Sequence, residues 1–169
     1  MKKFDVVIGN PPYQKGNQSL WHLFALKAET LVKDNGYIAF ITPNSWANGS
    51  HLNKPRNVFN SLFQKLNTTY INTNVNSYFP KIGKNIGSWV VQKSSYKGIT
   101  TVIDKDGNIL ETNINDVPFF LNNFSVTGFS IFKKVLAKKE FFTEFTEKVN
   151  DKERYFAFSN YTYYCFQNW

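Results

Sequence analysis

Cysteine, arginine and long apolar runs are what this sequence has least of, and each shortage excludes something. One cysteine, Cys165, stands among 169 residues. An intramolecular disulfide and a cysteine-based zinc cluster are therefore excluded. No run reaches the roughly eighteen apolar residues of a membrane span. Met1-Lys2-Lys3 is not followed by a long apolar stretch, so the start does not read as a signal peptide. His22 and His51 stand alone, with no metal-ligand spacing around them. These absences predict a soluble, cytoplasmic protein with no metal and no membrane contact. What is present in quantity is apolar and aromatic: 42% of residues are hydrophobic and 18% aromatic. That composition excludes disorder and suffices for a core.

Negative charge is also scarce, but only in one part. Residues 1–95 hold eleven Lys and Arg against three Asp and Glu, whereas residues 96–169 hold nine of each. A one-sided basic excess suits a polyanion such as DNA or RNA. Solubility alone is the lesser alternative. Only Arg56 and Arg154 of the twenty basic residues are arginine. Lysine is a flexible point charge and arginine the better bidentate reader of guanine, so phosphate contacts are favoured over guanine readout. The wealth of Lys, Asn, Phe and Tyr also fits the coding bias of an AT-rich genome.

Phe4 to Gly9 is a short β-prone run without alternation, the pattern of a strand buried on both faces. Asn10-Pro11-Pro12-Tyr13 stops it, because adjacent prolines cannot continue a ladder. Leu20, Leu23, Phe24, Leu31 and Val32 recur at helical spacing, and Asp34-Asn35-Gly36 closes that helix with glycine as the left-handed cap. Tyr37 to Thr42 is a second strand, ended by Pro43. Asn53 caps a helix with Pro55 in its first turn and Val58, Phe59, Leu62, Phe63 and Leu66 as its buried stripe. Thr69 to Val75 and Ile86 to Lys93 follow as strands. Crossover helices between strands imply a mainly parallel layered sheet, with one of the last two strands antiparallel at the edge. Beyond Ser94-Ser95 the pattern shifts. Ile99 to Ile103 and Ile109 to Thr112 flank Asp104 to Asn108 as a hairpin, which is far short of a calcium loop. Ser125 to Lys139 reads as a helix with Phe129, Phe132 and Leu136 on one face, and Tyr155 to Trp169 as a β-prone aromatic tail.

Asn10-Pro11-Pro12-Tyr13 is the most informative segment. It places a rigid polar turn at the carboxyl end of a strand, where open α/β sheets bind ligands. Proline fixes the turn and leaves its carbonyls free. Asparagine offers an acceptor oxygen, and tyrosine an aromatic face with a hydroxyl. Together they can hold an exocyclic amino group by two acceptors and stack on its ring. A simple strand-ending turn is the alternative. Phe79, before Pro80, is as well explained by packing as by a site, and so is Trp46. His22 reads as packed or surface, and Cys165 as a small buried residue.

The tetrapeptide resembles the catalytic motif of S-adenosylmethionine-dependent N6-adenine-specific DNA methyltransferases, in the gamma arrangement of restriction-modification and phage methylases. Gly36 to Thr42 with Pro43-Asn44-Ser45-Trp46, and Tyr78-Phe79-Pro80 before the strand from Ile86, resemble the family's next blocks in order. The resemblance covers roughly residues 4–95. It implies a flipped adenine whose amino group is held by the Asn10 side-chain oxygen and the Pro11 carbonyl, so that the nitrogen lone pair points at the sulfonium methyl. Asn10, Pro11, Pro12 and Tyr13 are then the catalytic residues. Tyr13 stacks on one face of the base and Phe79 on the other. DNA is the partner and S-adenosylmethionine the cofactor.

The family's cofactor-binding first half is not found. Only three residues precede the catalytic strand, and Gly98, Gly107 and Gly128 are isolated. The expected fold is α/β: the second half of a partial Rossmann-like methyltransferase sheet over residues 1–95, with an α+β extension over 96–169 that is part of a target-recognition region. The expected chain is incomplete and inactive alone: a fragment, a half-enzyme whose partner chain carries the cofactor half, or a repurposed DNA-binding or assembly module. Its truncated sheet edge should pair with that partner or with itself. The same tetrapeptide also occurs in enzymes that methylate protein glutamine or RNA.

Overall fold

The computed structural model describes residues 2–16, 18–47, 58–80, 82, 83, 85–117, 119, 120 and 125–137. His51, Asn53, Pro55, Arg56, Arg154, Cys165, the tail from Tyr155 and the side chain of Leu136 lie outside them. The strands are Phe4–Gly9 (β1), Gln14–Lys15 (β2), Gln18–Ser19 (β3), Val32–Pro43 (β4), Leu66–Asn72 (β5), Ile86–Ser95 (β6), Thr100–Ile103 (β7) and Ile109–Thr112 (β8). The helices are Trp21–Leu31 (α1) and Val126–Ala137 (α2). One sheet of six strands runs in the order β1-β4-β6-β5-β7-β8, and β2 and β3 form a separate small hairpin.

The sheet is mixed, not mainly parallel. β1 pairs parallel with β4, and β5 with β7. β6 lies between β4 and β5 and is antiparallel to both, so the reversed strand is central where the sequence suggested an edge. Strand order is set by tertiary packing, which short apolar runs do not encode. β7 and β8 form the expected hairpin, and β7 continues the same sheet past Ser94-Ser95.

Ladder register assigns the side chains to two faces. Val7, Ile38 and Val91 align on one face, as do Phe40, Trp89, Ile71 and Val102. This face is covered. The ring of Trp89 packs on Phe40 at 5.4 Å and Phe63 at 5.0 Å, and its indole N–H donates to Thr42 Oγ1 at 2.9 Å. From Phe63 the aromatic contacts run to Trp46 and Phe59, then through Phe120 to Phe129 and Phe132 of α2. α1 adds Trp21, Ala25 and Ala28 to the same core. The opposite face carries Val6, Ile8, Tyr37, Ala39, Ile41, Tyr70, Val90, Ile103 and Ile109, all exposed or half-buried.

Several local expectations change. β1 is an edge strand and is not buried on both faces: Phe4, Val6 and Ile8 are exposed. The buried side of α1 is Trp21, Ala25 and Ala28, while Leu23 and Phe24 face out. Small residues let the helix lie close to β4. The left-handed residue after α1 is Asn35, at φ 64°, and not Gly36. Gly36 is required for another reason: a Cβ there would meet the Asp5 carbonyl oxygen at 2.7 Å, and real Cβ atoms do not approach so closely. Of the expected helix after Asn53, a single π-helical turn at Phe59–Phe63 lies among the described residues. Val58, Phe59, Leu62 and Phe63 are buried as expected, but Leu66 already belongs to β5, which starts and ends three residues earlier than read.

Candidate functional site

Because β4 and β5 run with β1, their carboxyl ends form one rim together with the start of β6. Asn10 leaves β1 on this rim with an exposed side chain, followed by buried Pro11 and exposed Pro12. Tyr13 turns inward and packs against the core. Its hydroxyl is buried without a partner of good hydrogen-bond geometry among the described residues. Burial pushes the phenol above its usual ionisation range, and the neighbouring Asn10 side chain opposes that push. The β2–β3 hairpin then folds back, and the Leu20 N–H donates to the Tyr13 carbonyl at 3.0 Å. Two prolines and a closed hairpin thus hold Asn10 to Tyr13 in one conformation.

A row of asparagines stitches the rest of the rim; Asn44 stood in one of the resembling blocks, whereas Asn76 and Asn85 were not singled out. The Asn44 N–H at the end of β4 donates to the Asn85 carbonyl at 2.9 Å. The next residue, Ile86, donates its N–H to Asn76 Oδ1 at 3.1 Å. Asn76 also accepts the Phe79 N–H at its carbonyl, at 2.9 Å. Phe79 is therefore anchored to the strand beside β4, in the loop after β5, and is half-buried, while Tyr78 beside it is exposed. Asn44 is buried over Gly87, where a Cβ would collide with its Oδ1 and meet the Asn72 carbonyl oxygen at 2.8 Å. That Oδ1 and the indole nitrogen of Trp46 have no hydrogen-bond partner among the described residues. Trp46 itself is core, stacked on Phe59. The spacing of single asparagines after strand ends was the signal available for Asn44 and Asn76.

Among the described residues the rim carries no carboxylate from β1 across β4 to the start of β6, whereas Asp104 and Asp106 follow the carboxyl end of β7, beside β5. No Asp or Glu occurs between Asp34 and Asp104. The three acidic residues of the first part are held by Lys33 at 2.8 Å (Asp5), Lys65 at 3.6 Å (Glu29) and Lys93 at 3.5 Å (Asp34). All three pairs lie at the opposite, amino end of β1 and β4. Lys33 holds the Asp5 carboxyl below its ordinary range. The acidic groups are thus kept away from the rim that presents Asn10. Among the described residues, no cluster of His, Cys, Asp or Glu has the makings of a metal site. No helix among them is long and apolar enough to cross a membrane.

The family model described as Eco57I restriction-modification methylase matches residues 1–79. An "uncharacterized adenine-specific methylase" of Mycoplasma pneumoniae is 30% identical over 151 residues, covering 78% of this chain and 34% of that protein. The chain spans about a third of the length of that relative. A solved chain described under "Structural basis underlying complex assembly and conformational transition of the type I R-M system" is similar over 60% of this chain and 23% of its own length, at 15% identity and a TM-score of 0.48.

Proposed function

We propose that the chain belongs, through residues 1–79, to the restriction-modification adenine methylases, and that its rim binds the target adenine of an S-adenosylmethionine-dependent N6-adenine DNA methyltransferase. The observation that carries the reading is the locked loop Asn10 to Tyr13, inside the matched residues, with the Asn10 amide exposed on a rim free of carboxylates from β1 to β6. A rim without described carboxylates beside Asn10 admits a phosphate backbone, and log affinity then falls steeply with log salt. The adenine is extruded from the duplex, since its amino group is out of reach in the stack. Asn10 Oδ1 and the Pro11 carbonyl accept the two amino hydrogens, which orients the nitrogen lone pair without covalent catalysis. Phe79 supplies an aromatic surface for the base. Tyr13, whose ring is packed inward, gives the loop its anchor and offers only its remaining exposed edge for stacking.

S-adenosylmethionine, when bound, supplies the methyl group. The described residues do not compose its site. A ribose calls for a carboxylate or similar acceptor, and the rim beside β1 has none, because Asp5, Glu29 and Asp34 are paired at the far end. In this reading the donor is held by groups outside the described residues.

Fluorescence anisotropy on duplexes tests the acceptor role directly. An adenine placed in a mismatch costs less to extrude and should be bound more tightly than a paired one. Asn10→Ala and Phe79→Ala should each erase that preference while leaving the salt dependence unchanged. A chain that binds DNA with no such preference is a DNA-binding module, and the enzymatic reading fails.

A further inference from the structure

Beside Phe79 the rim carries a second aromatic ring, to which the adenine-binding role gives no task. Tyr78 is 78% exposed, the most exposed aromatic side chain among the described residues. The other exposed rings lie elsewhere: Phe4 at the amino end of β1, Phe24 on α1 and Tyr37 in the first half of β4. Single exposed apolar residues are ordinary on a protein surface. Tyr78 differs in how firmly its backbone is held. Its N–H donates to the carbonyl of buried Val75 at 3.1 Å, and the Phe79 N–H to the Asn76 carbonyl at 2.9 Å. The Ile82 N–H closes a further turn on the Phe79 carbonyl at 3.1 Å. Asn76 Oδ1 ties the segment to Ile86 at the start of β6, and the Asn74 N–H donates to Asn72 Oδ1 at 2.7 Å at the end of β5. A ring held out on so fixed a turn loses little backbone freedom when it meets a flat partner. In sequence, residues 73–85 include Lys81 and Lys84 and no Asp or Glu, which suits a partner that carries phosphates.

We propose that Tyr78 is a wedge: it enters the space that the extruded adenine leaves in the duplex and stacks on the neighbouring base pair. This rests on the adenine-binding reading above and adds the duplex side of that site. β6, into which this loop leads, lies two strands from β1, roughly 10 Å away in the hydrogen-bonding direction. A base held at Asn10 therefore has this loop as its neighbour across the end of β4. An extruded base stays joined to its gap by its own backbone, so the group that fills the gap must stand next to the base pocket and outside it. Tyr78 meets that condition. It follows Asn76, which fastens the loop, and precedes Phe79, which is half-buried where Tyr78 is exposed. Extrusion costs the stacking of the target base. A side chain inserted between base steps replaces part of that stack. An aromatic ring does so whatever the neighbouring base, since every base has a π-face.

Fluorescence anisotropy on the full chain tests the wedge with a short duplex in which one central adenine is replaced by an abasic site. That duplex offers Asn10 and Phe79 no base to hold, and its gap is already open. The wild-type chain should bind it about tenfold more tightly than the intact duplex, the scale of one base–aromatic stack. Tyr78→Ala should erase the difference, whereas Tyr78→Phe and Asn10→Ala should each keep it. The side chain lies at the surface, so its removal leaves the fold intact. A preference for the abasic duplex that survives Tyr78→Ala overturns the proposal. So does a wild-type chain with no such preference, or a Tyr78→Ala chain that weakens on both duplexes equally, which marks a general contact. The two readings fail separately. If Tyr78→Ala loses the abasic preference but a mismatched adenine is bound no better than a paired one, the adenine-binding reading falls and the wedge stands. If a mismatched adenine is preferred through Asn10 while Tyr78→Ala leaves the abasic preference untouched, only the wedge falls.

Discussion

The two faces of the sheet are built from similar residue types and meet opposite fates. On one, Ile38, Phe40, Trp89, Val91 and Ile71 are sealed under α1, α2 and a continuous run of aromatic rings. On the other, Val6, Ile8, Tyr37 and Val90 are as apolar in sequence yet exposed or half-buried. Apolar character in a strand thus reports that a face is to be covered, not what covers it. The covered face carries the stability of the chain. The open face carries unspent hydrophobic surface, and it adjoins the strand that delivers Asn10.

The sharpest way to break the comparison is to remove the centre of the covered face. Trp89 fills the space between Phe40 and Phe63, and its indole N–H is satisfied by Thr42. Trp89→Ala leaves a cavity between rings that cannot collapse, together with an unpartnered hydroxyl, and should cost about 3–5 kcal/mol in denaturant unfolding. Tyr37→Ala, on the open face of the neighbouring strand, should cost far less. Equal losses would show that the open face is packed in solution.

How much of this was legible in the sequence differs by element, for physical reasons. The hairpin at Asp104 to Asn108 was legible because its turn chemistry is local: Gly107 takes φ 87°, and Asp104 accepts the N–H groups of Asp106 and Asn108 at 2.9 Å. The rigid loop at Asn10 was legible for the same reason, since two prolines end a strand wherever it lies. The exposure of β1 was not, because an unbroken apolar run looks alike at a sheet's centre and at its edge. The inner side of α1 was hidden by alanine, which marks close approach but carries little apolar signal next to Leu23 and Phe24. The central place of antiparallel β6 was hidden because pairing order is a long-range choice. Asn44 and Asn76, which fasten the rim, each look like ordinary loop residues until the strands they bridge are known.

A smaller but more diagnostic effect should come from the clasp that holds the cover in place. Asp104 is buried, and besides its own turn it accepts the Val126 N–H at 3.0 Å, at the start of α2. Burial raises its ionisation range, but the Asn108 amide and the N–H groups of Val126, Asn108 and Asp106 outweigh that and lower it overall. Asp104→Ala strands these donors and should cost about 2–3 kcal/mol near neutral pH. A carboxyl depressed in the folded state stabilises fully above its unfolded pKa of about 3.9. That contribution is lost as pH falls through the lower folded value. The gap between wild type and variant in a urea titration should therefore narrow as pH drops below about 4. A gap that stays constant with pH would mean that the charge on Asp104 contributes nothing to holding α2 on the covered face.

The smallest expected effect tests the open face itself. Ile8 is mostly exposed on an edge strand, and the register sets it beside Ala39 with no described side chain above it. Ile8→Ser removes surface that is already wet, so the unfolding free energy of the chain should change by no more than about 0.5 kcal/mol. Ile38 is one residue from Ala39 along β4 and fully buried on the other face. Ile38→Ser places an unpaired hydroxyl in an apolar core and leaves a void, so it should be among the costly substitutions. The ratio of the two measures the asymmetry of the sheet in one experiment. Were Ile8→Ser as costly as Ile38→Ser, something in the chain would already cover β1.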